Sequence, residues 1–330
     1  MIEFTALDAI TEMAAGLPKA DDTAIAAAQD RQNQLTKPPG SLGRLEEIAL
    51  FIAGWQGREK PAIETAQALV FAGNHGICDQ GVNPFPQAVT AQMVANFEAG
   101  GAAINQLCRA NGATLDVIAL DLDRPTQDFT LAPAMTETET LDAMSKGAAA
   151  VSPDADILLL GEMGIGNSTI AAALAAACIG GAPETWVGAG TGSDADGIAL
   201  KAKVIADGLA KHGSRAPMHA LAIFGGREQA AICGAVLAAR AARMPVLLDG
   251  YICTAAVAPL FATDPTFLDH CLIGHASAEP GHAKLVQAMG KAPVLDFEMR
   301  LGEGTGAALA LGIVRPTHPL PRMWPCRCDR

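Results

Sequence analysis

What this sequence lacks narrows its function sooner than what it contains. Aromatic residues make up 4% of its 330 residues, with a single tyrosine, so the core has to close on small aliphatic side chains. Eight cysteines are scattered along the chain and none forms a CxxC pair. Most sit among apolar residues, which argues for buried reduced thiols rather than disulfides or a metal cluster. No block of lysine and arginine occurs and the formal net charge is −12, so the electrostatic footprint of a nucleic-acid binder is missing. The longest nearly apolar stretch, IAAALAAACIGGA, is too short and too glycine-broken to span a bilayer. The opening MIEFTALDAITEMAAGLPKADD carries early acidic residues and no apolar run, so no secretory signal is expected and the chain reads as soluble and cytoplasmic.

Half of the residues are hydrophobic, and the helical stretches are dominated by alanine. Such chains pack helices closely on parallel sheets. Eight β-like runs recur: ALVFAG (68–73), TLDVIAL (114–120), DILLLG (156–161), TWVGAG (185–190), ALAIFGG (220–226), PVLLDG (245–250), CLIG (271–274) and PVLDF (293–297). Their alternation with helical patterns predicts βαβ units and a mostly parallel α/β sheet. The first sixty residues differ, with helical periodicity in LDAITEMAAGL, DTAIAAAQDRQNQL and LGRLEEIALFIAGWQ and no strand between. Residues 124–140 read as a surface excursion before a helix at 141–150. Polar or glycine-rich clusters (NHG, EMGIGNS, TGSD, REQ, HASAEPGH) follow nearly every strand, and in doubly wound sheets that edge holds the ligand.

Among these clusters, LLLGEMGIGNSTIAAAL (158–174) has the spacing of a phosphate-binding loop at Gly161, Gly166 and Ser168. The position where such a loop carries lysine holds Asn167, so the cation for a triphosphate is absent. What survives is a glycine turn entering a helix at Ser168–Thr169, whose free N–H groups and dipole suit a monophosphate or simply make a capped turn. Glu162 places a carboxylate at the strand end inside that would-be anion site. GAGTGSD (188–194) is a second glycine-rich exit without lysine, and Lys201 or Lys203 would have to supply any charge. In MRLGEGTGAALAL (299–311), Glu303 lies between glycines ahead of an alanine-rich helix, free to meet a ligand or to favour the helix N-terminus. His75 and His282 read equally as bases, ligands or hydrogen-bonded structural residues. KPPGSLGRLEEIA (37–49) forms a rigid loop with Ser41 available as a cap, suited to clamping a ligand or to stopping the preceding helix. No His, Cys and Asp set has metal-ligand spacing, so no metal is expected.

Taken together, TKPPGSLGRLE, FAGNHGICDQGVNPFPQAVTAQMVANFEAGGAAIN, GEMGIGNST, VGAGTGSD, PVLLDGYI, SAEPGH and MRLGEGTGAALAL resemble the nicotinate-nucleotide:dimethylbenzimidazole phosphoribosyltransferase family, collinearly from about residue 36 to about 313. The resemblance implies a Rossmann-like doubly wound α/β/α sheet and a homodimer. It also implies a division into a helical N-terminal segment (1–60), an α/β nucleotide-binding core (61–300) and a C-terminal helix and tail (301–330), the chain ends forming a small subdomain. It implies that nicotinate mononucleotide reacts with 5,6-dimethylbenzimidazole to give α-ribazole 5′-phosphate and nicotinate, without a cofactor. Carried over to this chain, Glu303 is the catalytic base and Glu162 lies near the reacting groups. The substrate-binding positions become Met163, Gly164, Gly166, Asn167, Ser168, Thr169, Gly190, Gly192, Leu301, Gln87, Phe85 and Ser41. Two departures stand out. Asn74 replaces the family's usual Asp in AGNHG, which is expected to weaken a polar contact. The proline-broken RPTHPLPRMWPCRCDR ends the chain where an amphipathic helix is expected. A same-fold enzyme for another aromatic base, and a non-catalytic riboside or benzimidazole binder, are the competing readings.

Overall fold

The computed structural model describes residues 2–315. Six strands form one all-parallel sheet: β1 Ala66–Ala72, β2 Ala113–Ala119, β3 Ile157–Met163, β4 Val246–Leu248, β5 Cys271–Ala276 and β6 Pro293–Asp296, in the order β2-β1-β3-β4-β5-β6. The chain runs outward from β1 to β2, returns past β1 to β3, then proceeds to the far edge. That reversal puts the switch point between β1 and β3, where crossovers depart in opposite directions and leave a crevice beyond the strand ends.

Successive side chains point to opposite faces, so each strand feeds two cores. Leu69, Phe71, Leu158 and Leu160 join one, with the helices Glu137–Ala149, Asn167–Ile179 and Arg227–Ala241. Ala68, Val70, Ile157 and Leu159 join the other, with Arg44–Gln56, Ala103–Asn111 and Thr305–Val314. Glycine sets the closest approach. A methyl group on Gly147 would come within 1.9 Å of the Ala231 carbonyl oxygen, and one on Gly234 within 1.8 Å of that of Met144, so the helices Glu137–Ala149 and Arg227–Ala241 touch backbone to backbone.

Six of the eight β-like runs are strands. The other two are not, for separate reasons. ALAIFGG lies in the helix Pro217–Phe224, started by Pro217 in its first turn and buried nearly all round. A short apolar run has no period with which to tell a buried helix from a buried strand. TWVGAG follows the 3-10 turn Pro183–Thr185 as irregular backbone; Trp186 and Val187 are buried, but no strand pairs with them. Residues 124–140 are less of a surface excursion than their polarity implies. Phe129 and Met135 are fully covered, and the Phe129 ring packs edge-on to Phe224 at 5.7 Å. The following helix starts early, at Glu137, because Thr136 caps it and Glu139 reaches back to the Thr136 N–H.

The helical reading of the first sixty residues holds for Asp22–Asn33 and Arg44–Gln56, while the earliest pattern shortens to Ile10–Met13 and a 3-10 turn. The six described cysteines are free thiols, and burial pushes Cys108 up to about 11 and Cys78 up to about 12. No helix among the described residues is long and apolar enough to cross a membrane. The atypical tail from 316 onward, with Cys326 and Cys328, lies outside the described residues.

Candidate active site

A cavity of about 220 Å³ opens at the β1–β3 switch point. Its walls come from the loop after β1 (Val82–Phe85), the exit of β3 (Glu162–Ser168), the turn at Gly190–Ser193, Lys201, and the Leu301–Glu303 turn. Ten of the sequence-derived site residues meet here: Glu162, Met163, Gly164, Gly166, Asn167, Ser168, Gly190, Leu301, Glu303 and Phe85.

The carboxylate end is built by glycines. A Cβ on Gly161 would fall 2.5 Å from the Gly304 nitrogen, and one on Gly302 would fall 2.7 Å from Glu162 Oε1. Only bare backbone lets β3 and the 302–304 turn approach this closely, and that approach brings the two glutamates together. Glu303 is 8% exposed and sits at φ 63°, a left-handed conformation rare outside glycine. Burial, and next the charge of Asp249, raise its carboxyl from 4.5 to about 7. Glu162 is more deeply enclosed. Burial first, then the Asp249 and Glu228 charges, lift it well above the usual carboxylate range, opposed by a hydrogen bond from Asn167. That bond explains the residue in the lysine slot: Asn167 Nδ2 donates to Glu162 Oε2. An apolar slot of Met163, Val89, Met93 and Leu301 flanks the pair, with Leu301 and Phe85 half exposed at its rim.

The opposite end suits an anion. In the turn entering Asn167–Ile179, the amides of Ile165, Asn167 and Thr169 are committed to Thr90 Oγ1, Gly164 O and Gly166 O. Those of Gly166 and Ser168 have no acceptor among the described residues. Lys201, 3% exposed, brings Nζ to 3.3 Å from both Ser168 Oγ and Gly188 O. Its burial lowers its proton affinity, and the charge of Glu279 works against that. The second glycine turn contributes less than its sequence implies. The Gly190 amide is already given to Glu279 Oε1 at 2.8 Å, so that turn is held by Glu279 rather than open to a ligand.

Four expected positions do not line the cavity. Thr169 is inside the helix and fully covered, and Gly192 is exposed beyond the Gly190 turn. Gln87 points away, its amide bonded to the His75 carbonyl at 2.8 Å. Ser41 is exposed and is not among the residues that line the cavity. The Arg44 guanidinium, three residues on, is fastened to the carbonyls of Ala292 and Pro293, where β6 begins. Nor does Ser41 cap the next helix, because Glu46 takes the Leu42 amide at 3.0 Å and the Lys37 ammonium at 2.7 Å.

Glu279 and Tyr251 also line the cavity; the sequence marks their segments, HASAEPGH and PVLLDGYI, but not which side chain in each faces it. Lys201 was separable from Lys203. Helical period puts 201 on the face of Ile198 and Ile205, whereas Lys203 turns outward and pairs with Asp207 at 2.6 Å. Neither His75 nor His282 lines the cavity. The first lies fully buried 2.7 Å from Glu228 Oε1. The second is held between Thr254 Oγ1 and the Ser277 amide, its pKa lowered to about 3 by burial. Asn74 Nδ2 donates to Leu122 O at 3.0 Å, a bond a carboxylate could not make, while its buried Oδ1 has no partner among the described residues.

Comparison with known proteins agrees with this geometry. A family model described as phosphoribosyltransferase matches residues 17–320. The nicotinate-nucleotide–dimethylbenzimidazole phosphoribosyltransferase of Rhodobacter capsulatus is 65% identical over 96% of this chain and 94% of its own. The protein of the same name from Roseobacter denitrificans is 56% identical over 94% of this chain and 93% of its own. The crystal structure of CobT from Thermus thermophilus superposes with a TM-score of 0.86 at 39% identity, covering 92% of this chain and 97% of the other. A parallel sheet with a switch-point cavity, two glutamates and a lysine is thus joined to likeness over nearly the whole length, and the chain belongs to this phosphoribosyltransferase family.

Proposed function

We propose that the chain transfers the phosphoribosyl group of nicotinate mononucleotide to 5,6-dimethylbenzimidazole, giving α-ribazole 5′-phosphate and nicotinate. One observation carries the reading. A single cavity is lined by Gly166, Ser168 and the buried Lys201, donors suited to an anion, and by Glu303, whose carboxyl is raised to about 7, beside an apolar slot. The 5′-phosphate fits the donors and the flat base the slot. A benzimidazole nitrogen attacks C1′ as the bond from C1′ to the pyridinium nitrogen breaks, and that electron pair leaves nicotinate with a neutral ring nitrogen. No general acid is needed. The proton on the other benzimidazole nitrogen passes to Glu303, which matches a base whose pKa lies near the working pH. Glu162, held by Asn167, lies in the same cavity, where a carboxylate near the ribose stabilises the positive charge that develops at C1′ as the bond to the pyridinium nitrogen breaks.

Residue roles, a homodimeric assembly, a cytoplasmic setting and the small subdomain formed from the chain ends belong to the same proposal. Incubation with nicotinate mononucleotide and a panel of aromatic bases, following free nicotinate, tests it. Release only with dimethylbenzimidazole-like bases is expected. Release with purines alone, or binding without release, would overturn it. Glu303→Gln should lower turnover by about 10²–10⁴-fold with nucleotide affinity little changed, and Glu162→Gln should be milder.

A further inference from the structure

Asp249 takes no part in the chemistry just described, yet it is fully buried behind the turn that carries Glu303. It follows β4, and its two oxygens reach across to a segment more than fifty residues later. Oδ2 accepts from the Gly304 amide at 3.2 Å and Oδ1 from the Ala307 amide at 2.9 Å, with His275 Nε2 3.8 Å from Oδ1. The helix Thr305–Val314 starts from Gly304, which has no side chain to cap it, so Asp249 supplies the cap from another element. The residues it fastens are unusual: Gly302, Glu303 and Gly304 lie consecutively at φ 82°, 63° and 82°. For glutamate that conformation is strained and persists only where the surroundings fix it.

We propose that Asp249 is a positioning residue for the transfer, fixing the Gly302–Gly304 turn through the amides of Gly304 and Ala307 so that the Glu303 carboxylate stays aimed into the cavity as a base. The proposal rests on the reading of Glu303 as that base. The titratable groups at the turn are Glu162 from β3 and His275 from β5; beyond them, Glu228 from Arg227–Ala241 acts on Glu162, and Cys253 from Tyr251–Ala256 lies in the field of Asp249 and Glu162. Of the charges, Asp249 is the one that acts with burial to raise Glu303. Burial raises Asp249 itself, while His275 and the backbone amides favour its anion. One residue therefore fixes the place of the base and, after burial, adds to what raises its carboxyl.

Asp249→Asn keeps the shape and removes the charge. Its kcat is expected to fall about 10²-fold, the scale of a misplaced catalytic group, with nicotinate mononucleotide affinity within about twofold. The acid limb of kcat/KM should move to lower pH, because Glu303 loses a neighbouring negative charge. A simple helix cap would lower thermal stability and activity together and leave that limb in place, which overturns the proposal. Should Asp249→Asn fold poorly, Asp249→Glu keeps the charge but displaces both oxygens from the Gly304 and Ala307 amides; kcat is expected to fall there too, and an unchanged kcat also overturns the proposal. Glu303→Gln serves as the control. If that variant is impaired and Asp249→Asn is not, the positioning role fails alone. If Glu303→Gln turns over normally, the base assignment fails and takes the positioning role with it. In the double variant, Asp249→Asn should add little to the loss from Glu303→Gln.

Discussion

Glu303 shows how one residue is tuned by where it is put. Its carboxyl is raised to about 7, so the free protein should hold a proton there below neutrality. The rate as kcat/KM should therefore climb with pH through about 7, which a pH–rate profile checks. The same shift affects stability in the opposite sense. The folded state binds this proton more tightly than the unfolded chain, so the contribution of Glu303 to stability falls as pH rises from 4.5 to about 7. Glu303→Gln removes that loss, and its unfolding midpoint relative to the parent should be higher at pH 8 than at pH 5. Lys201 is the second tuned residue. Lys201→Met should weaken nicotinate mononucleotide binding by roughly 10–100-fold, the worth of a charge-assisted hydrogen bond, and change kcat less; titration calorimetry measures it.

At the scale of elements, the site depends on a contact between β3 and the turn before Thr305–Val314 that only glycine permits. Gly161→Ala would drive a methyl group to 2.5 Å from the Gly304 nitrogen. The turn would have to shift, costing about 1–3 kcal/mol by the usual scale of overpacking and carrying Glu303 with it. The unfolding free energy from denaturant titration should fall by that amount, and turnover should suffer more than nucleotide binding. The glycines of GEMGIGN and LGEGTG were visible as turns, but not that Gly161 and Gly304 face one another. Elements with a clear period or flanking turns were legible, including six strands and the alanine-rich helix after Ser168. ALAIFGG was not, because burial on every side erases the period that separates helix from strand.

For the whole molecule, the strand order decides where chemistry happens. The reversal between β1 and β3 gathers the loops of the switch point around one cavity, with a protein cation, Lys201, at its anion end. Since that cation is built in and nicotinate departs with a neutral nitrogen, turnover should persist in excess EDTA. Complete loss restored by magnesium would refute this account of the anion site. The assembly is open to sedimentation velocity, where a species of twice the chain mass is expected.

The sequence by itself determined the parallel α/β architecture, the edge on which ligand loops lie, the two glutamates and the absence of a triphosphate cradle. These are written in local patterns: alternation of strand and helix, glycine at strand exits, and one side chain missing from a familiar spacing. Only the tertiary structure decided the partners. Asn167 serves Glu162 rather than phosphate, Glu279 occupies the Gly190 amide across 89 residues, and Asp249 fastens Gly304 across 55. It also left Ser41 outside the cavity and turned Lys201 inward. Such pairings come from through-space closure between distant segments. A carboxylate and an amide record in sequence that each can bond, and packing alone chooses with whom.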